Sequence, residues 1–425
     1  MTRLSELDSR HVLHPHQVVG HPRPPVVFVE GDGVRIRDED GTWYIDGTCG
    51  LWVCPVGHGR RELAEAARAQ METLEYYASF WDFSNPPAIE LAARLAALAP
   101  GDLNRVFFTN GGSEGNETAI KLARLAWGAR GRPERTVVIS RKMGYHGVSY
   151  GALQATGIPP LREGFGPLPA DFVHVGVPYP LRGPSVNDLV NELERTIADL
   201  GPERVAAFIA EPVIGVGGMI PPHDDYWPAV LEVLRRHGIL FIADEVVTGF
   251  GRTGEWFGSD HWGGLEPDLM VTAKALTSGY FPLGAVLISD GVAEMLDGRP
   301  FRHGFTYNGH PTGCAVALEN LAIIEREGLV ERARELGAYL LEELKRLEAL
   351  PAVVEARGFG LMAGLELNVE DAVELSDRIR RRGVIVRATG QKLVMSPPLV
   401  ITREQIDTIV EVLEGELATT AALAA

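Results

Sequence analysis

Cysteine is scarce in this chain of 425 residues. Cys49, Cys54 and Cys314 are the whole complement, too few for a disulfide framework and without the CxxC spacing of a metal site. Cys49 and Cys54 read as small buried residues, and no metal is expected. Positive charge is also short. Forty Lys and Arg face 57 Asp and Glu, a net charge of −17, so the electrostatic footprint of a nucleic-acid binder is missing and an acidic membrane surface would repel the chain. No apolar run approaches the roughly 18 residues that span a bilayer. The N-terminal stretch MTRLSELDSRHVLHPHQVVG is polar and has no signal-peptide core, which makes the cytoplasm the expected location. Internal repeats, low-complexity blocks and long linkers are absent. Lysine is rarer still: five of the 40 basic residues, namely Lys121, Lys142, Lys274, Lys345 and Lys392. Chemistry that needs an amine has few candidates here.

The length exceeds what one hydrophobic core usually supports, so two lobes are expected. Hydrophobic residues at 45% and charged residues at 23% fit a soluble globular enzyme. Residues 1–30 read as an irregular arm. VRIRDEDGTWYIDG follows, two strand-like runs about Asp40-Gly41, a hairpin signal. RRELAEAARAQMETL and AIELAARLAAL read as helices, the second closed by Pro100-Gly101. The runs RVFFT, TVVIS, VAAFIAE, ILFIADE and DLMVTA then alternate with helical stretches, the signature of a largely parallel sheet covered on both faces. Beyond about Ala315 long amphipathic helices take over. Leu329, Ala333, Leu336, Leu340, Leu344 and Leu347 recur at steps of three and four with Lys345 toward solvent, and Ile406, Ile409, Val410, Leu413 and Leu417 repeat the rhythm.

Two strand ends carry the strongest chemical signal. Asp244 closes ILFIADE and Lys274 closes DLMVTAK, thirty residues on. One strand–helix–strand step can set both at the carboxyl edge of neighbouring strands, where open α/β sheets bind ligands. A charge directly after a buried strand needs a partner. The two could simply pair with each other. Alternatively, the amine condenses with an aldehyde while the carboxylate holds a pyridine nitrogen protonated. In FFTNGGSEGNETAIKLAR a strand runs through Gly111-Gly112-Ser113 into a helix, where first-turn N–H groups and a hydroxyl can bind phosphate. Without a Walker ending or GxGxxG this turn is equally a tight connection, and Lys121 beyond it reads as a surface residue. RKMGYHG places Tyr145 beside His146 in a Gly-flanked loop, either a stacking face for a planar cofactor or a packed loop aromatic. Lys142 there reads as loop charge.

With these pieces in order, the sequence resembles the class III (ω-amino acid) aminotransferases of pyridoxal-phosphate fold type I. LWVCPVGHGRREL, TNGGSEGNETAIKLAR, GYHG, AEPVIGVGG, DEVVTGFGRTG, TAKALTSGYFPLGAV, TYNGHPTGCAVALENL and VRATGQKLVMSPPL run in family order from about residue 26 to the C-terminus. The resemblance implies an α/β fold: a large domain with a mainly parallel seven-stranded sheet flanked by helices, and a smaller α+β domain formed by both chain ends. The expected divisions are 1–70, an arm and part of the small domain; 71–315, the large cofactor domain; and 316–425, the rest of the small domain. It implies pyridoxal 5'-phosphate as cofactor, joined to Lys274 as an aldimine, with Asp244 on the pyridine nitrogen and Val246 opposite Tyr145 across the ring. Gly112 and Ser113 match phosphate binders, His146 and Glu211 match cofactor-supporting positions, and Thr306 matches a threonine that reaches the phosphate of the partner subunit. An obligate homodimer follows, with a tetramer as the larger alternative. Trp52, Phe80 and Trp81 match positions that line the substrate entrance, with interface packing as the other reading and both able to hold at once. Tyr145 matches a substrate-lining position too, and Arg387 a mobile carboxylate anchor, the alternative being a surface arginine like Arg380, Arg381 and Arg382.

Departures narrow the branch. Val247 stands where ornithine and GABA aminotransferases carry a glutamine, and Val216 where they carry a glutamate that masks the anchoring arginine. The amine:pyruvate branch shares the apolar residue at the second position, which favours pyruvate as acceptor and an ω-amino acid or primary amine as donor, in ping-pong order through pyridoxamine phosphate. Gly111 replaces the first residue of the usual SGS turn. An aminomutase or decarboxylase on the same fold is the alternative. A transcription regulator of this fold would need a DNA-binding module and basic surface that the chain lacks. A nucleotide enzyme using the Gly-rich turn lacks its supporting motif.

Overall fold

The computed structural model describes residues 2–20 and 23–424, with side chains to residue 419. Seven strands form its central sheet. In spatial order they are Arg105–Thr109, Gly284–Ile288, Leu269–Thr272, Leu240–Asp244, Val205–Ala210, Val137–Arg141 and Phe172–Val175. Only Gly284–Ile288 runs against its neighbours; the remaining pairings are parallel. The five strands from Gly284–Ile288 through Val137–Arg141 are buried at every position. Side chains alternate between the two faces of a strand, so complete burial means that both faces are covered. This is why these strands read as unbroken apolar runs rather than as alternating ones.

Five of the parallel-running strands release the chain at one edge, into Asn110-Gly111, Lys142-Met143, Glu211, Glu245-Val246 and Ala273-Lys274. A helix, Gly112–Ala129, leaves that edge at once and packs Ala119, Ile120, Leu122, Ala123 and Ala126 onto the sheet.

The two chain ends share smaller sheets. Phe28–Asp32, Arg35–Asp38 and Trp43–Asp46 form a meander, with Gly41 at φ +88° in the turn that Asp40-Gly41 announces. Val384–Ile385 adds to it in parallel, pairing with Ile45 and Asp46. A second sheet orders Val353–Phe359, Met362–Leu367, Lys392–Met395 and Arg387–Thr389, all antiparallel. The helix Leu329–Arg346 buries Leu329, Ala333, Leu336, Leu340 and Leu344 and leaves Lys345 exposed. Each buried leucine contributes roughly 1.5–3 kcal/mol, so a single Leu340→Asp change would unseat the helix. Helix Pro311–Arg326 runs straight through the expected 315/316 boundary.

The N-terminal arm departs from expectation. Residues read as irregular contain a helix, Arg3–His11, whose N-cap Thr2 accepts from Ser5 N and whose end carries Arg10 and His11. Capping and a favourable charge at the helix end supply local stability that its hydrophobic pattern does not announce. Among the described residues no helix is long and apolar enough to cross a membrane.

Candidate active site

The common edge of the strands opens into a cavity of about 1040 Å³. Trp52, Gly112, Ser113, Tyr145, His146, Glu211, Asp244, Val246, Lys274 and Arg387 all line it. Thr306, Phe80 and Trp81 do not. They lie on a separate exposed face, where Phe80 abuts Gly304, Trp81 packs edge-on against Phe83, and the Thr306 carbonyl accepts from the Tyr76 hydroxyl.

Lys274 follows its strand with φ +45°, a left-handed conformation that a residue with a side chain adopts only under constraint. Burial lowers its amine to about 8, against the opposing pull of Asp244 and Glu211, with Arg387 adding to the lowering. No ion pair within 4.0 Å joins Lys274 to Asp244. The acid instead receives the imidazole of His146 through Nδ1 at 2.8 Å, Asn116 Nδ2 at 2.8 Å and Val246 N at 3.1 Å. The simple Asp–Lys pairing left open by the spacing is therefore not made. Asn116 also donates to the His146 carbonyl at 2.7 Å, which ties acid, histidine and helix together. The sequence reading missed Asn116, although it lies one helical turn after Ser113 and so on the same face.

Glu211 accepts from Tyr145 N at 3.0 Å and Gly215 N at 2.8 Å. Its carboxyl is raised above the ordinary range by burial, and the Asp244 charge pushes the same way. The Tyr145 phenol is likewise raised by burial and by Asp244. Trp52 sits in a run of four consecutive left-handed residues: Cys49 at φ 54°, Gly50 at 61°, Leu51 at 91° and Trp52 at 61°. Asp46 clamps this loop by accepting from Thr48 N, Gly50 N and His58 Nε2, and Arg252 reaches the Cys49 sulfur at 3.2 Å. The indole lies under two cations, Lys274 at 5.4 Å and Arg387 at 4.8 Å from the ring centroid. Burial lowers the Arg387 guanidinium. Among the described residues it has no carboxylate partner.

The residues fit a planar, phosphate-bearing cofactor. Helix Gly112–Ala129 starts without a side-chain cap, so its first N–H groups lack intrahelical partners and face the cavity. Glycine is required around that turn. A Cβ on Gly112 would lie 2.9 Å from Val246 Cγ1, and one on Gly147, at φ +125°, would lie 2.5 Å from Ser113 Oγ. Ser113 Oγ accepts from Val148 N at 3.2 Å. Asn116 Oδ1, His146 Nε2 and Trp52 Nε1 are buried without hydrogen-bond partners. No cluster of three potential metal ligands occurs among the described residues.

Comparison with known proteins gives this geometry a family. Residues 17–417 match the family Aminotransferase class-III. A putrescine–pyruvate aminotransferase of Pseudomonas aeruginosa is 43% identical over 417 residues, covering 93% of this chain and 91% of that one. The crystal structure of a thermostable (S)-enantioselective omega-transaminase from Thermomicrobium roseum superposes with a TM-score of 0.94 at 50% identity, covering 98% of each chain. An amine transaminase from an uncultivated Pseudomonas species, solved in a PLP-bound form, superposes at 0.92 with 40% identity, covering 96% of this chain and 98% of that one. A match over nearly the whole length, on a fold whose strand edge holds a lysine, an acid and a glycine cradle in one cavity, leaves one conclusion: the chain belongs to the class III aminotransferases, pyridoxal-phosphate-dependent enzymes of fold type I.

Proposed function

We propose that this aminotransferase moves the amino group of a primary amine or ω-amino acid to a keto acid, pyruvate foremost, with Lys274 as its covalent cofactor lysine. The observation that carries the reading is the pairing pattern: Lys274 faces the cavity with its amine lowered to about 8, while Asp244 beside it is engaged by His146 and Asn116 rather than by the lysine. Each group thus stays available for a separate task. When bound, pyridoxal phosphate supplies an aldehyde carbon that condenses with amines and a ring that takes up electrons from the donor carbon.

The chain's own residues then have distinct work. Gly112 and Ser113 hold the phosphate at the helix start. Val246 and Tyr145 bound the ring space, and Glu211 fixes the Tyr145 backbone. Asp244, oriented by three donors, keeps a ring nitrogen protonated through a charge-assisted hydrogen bond. A lysine lowered to about 8 is poised near neutral pH to release a proton from Nζ and take one back, which suits it to carry the proton off the donor carbon. Arg387, without an acid partner among the described residues and lying over Trp52, is ready for a substrate carboxylate and can rest on the indole when the substrate has none. Thr306 reaches the phosphate from a second copy of the chain in this reading. The homodimer it requires is supported by the exposed aromatic face, where Trp81 is 89% exposed, more than an isolated chain in water would favour. Pyruvate as acceptor draws support from the putrescine–pyruvate relative and from the apolar Val216.

Replacing Lys274 with Ala tests the assignment. Covalently held cofactor and turnover should both disappear, with the fold unchanged by circular dichroism. A variant that keeps ordinary turnover overturns it.

A further inference from the structure

Arg387 is not the only cation on its wall of the cavity. In the antiparallel pairing of Arg387–Thr389 with Lys392–Met395, Thr389 stands opposite Lys392 and Arg387 opposite Val394. Residues directly opposite share a face, as do residues two apart on one strand. Arg387, Thr389 and Lys392 therefore project to the same side, and all three line the cavity. Arg387 and Lys392 are diagonal neighbours, a backbone separation of roughly 7–8 Å.

Lys392 is not committed elsewhere. Its nearest acid across the sheet is Glu366, its direct partner on the other side. That carboxylate is already held by Arg357 at 3.1 Å and approached by Arg182 at 3.7 Å. Among the described residues no acid lies within ion-pair distance of Lys392. Its stem instead crosses Gly218, where a Cβ would come within 2.6 Å of Lys392 Cδ. Glycine there leaves room for the lysine stem, on a residue that lines the cavity. Between the two cations, Thr389 Oγ1 is buried with no hydrogen-bond partner. A neutral donor beside two cations that make no ion pair among the described residues, all three lining one cavity, is a donor set arranged for an anion with two charged ends.

We propose that Arg387, Thr389 and Lys392 form a two-point anion site, with Lys392 taking the distal carboxylate of a keto diacid whose first carboxylate sits on Arg387. Lys392 is then a specificity residue that widens the acceptor range from monocarboxylic to dicarboxylic keto acids. This rests on the reading of Arg387 as carboxylate anchor.

Competitive inhibition of the purified holoenzyme by glutarate and by pentanoate, which differ only in the second carboxylate, tests it. The wild type should bind glutarate more tightly. In Lys392→Met the ratio of inhibition constants should shift against glutarate about tenfold, the size of one lost hydrogen bond to a charged group, and Lys392→Arg should restore most of it. The ratio of kcat/KM for 2-oxoglutarate to that for pyruvate should fall in parallel in Lys392→Met. A wild type indifferent to the second carboxylate, or a Lys392→Met ratio equal to that of wild type, overturns the proposal. Failure of the underlying anchor shows differently: Arg387→Ala would then leave both inhibition constants unchanged.

Discussion

The amine of Lys274 offers the most direct physical test. Its lowering from 10.5 to about 8 corresponds to a destabilisation of the ammonium by at most about 3 kcal/mol. Burial is the main cause, with part of the side chain still facing the cavity. At pH 7 about one lysine in ten is then a free amine, against roughly one in three thousand at the ordinary value, a gain of about 300-fold in nucleophile. The perturbation is pH, applied to the cofactor-free protein. Added pyridoxal phosphate is allowed to react briefly, the adduct is reduced with borohydride, and peptide mapping separates Lys274 from the other four lysines. The initial rate at Lys274 should rise about tenfold per pH unit below 8 and level off above it. A rise that continues to the ordinary lysine range would refute the claim that the fold activates this amine. The same shift bears on stability. Folded apoprotein loses its proton before the unfolded chain does, so its stability should climb between about pH 8 and 10.5, and Lys274→Met should abolish that climb.

Gly147→Ala forces a side chain into a left-handed position 2.5 Å from Ser113 Oγ; cofactor affinity, measured by titrating apoprotein, should weaken roughly 5- to 30-fold, as one or two kilocalories of strain imply. Unchanged affinity would remove Ser113 from the phosphate cradle. Asp244→Asn should lower the rate of the amine half-reaction by roughly a hundredfold or more while cofactor stays attached, and rapid-mixing spectra would show whether it does. Arg387→Ala should depress kcat/KM for pyruvate about a hundredfold and that for a carboxylate-free amine far less; equal losses for the two substrates would dismiss the anchor.

Much of this arrangement can be read from residue order because burial on both faces writes itself as apolar runs. RVFFT, TVVIS, VAAFIAE, ILFIADE and DLMVTA all become strands of the central sheet. Phe172–Val175 is harder to see. It is a short edge strand, partly exposed at three of four positions, so its pattern never becomes continuous. Asp244 and Lys274 stand out because charge so rarely ends a buried strand. Asn116 and Thr389 do not, since a neutral polar residue in a helix or edge strand looks ordinary until tertiary structure shows what it faces. The Trp52 loop was equally hidden: four left-handed residues in succession are held by Asp46 and Arg252, contacts across distance that no local propensity encodes. Pairing of Val384–Ile385 with the N-terminal meander likewise joins segments more than 300 positions apart.

One reversed strand shapes how the Lys274 amine can move. Because Gly284–Ile288 enters the sheet from the cavity rim instead of leaving by it, the chain from Ala273 to Leu283 makes no excursion to the far side of the molecule. It is a short span pinned at each end to adjacent rungs of the same ladder. Asn320 Nδ2 holds the Ala275 and Leu276 carbonyls at 2.9 and 3.0 Å; where the backbone keeps that place, the distance the amine covers comes from rotation about the four methylenes of the side chain. An enzyme built this way swings an arm from a fixed shoulder.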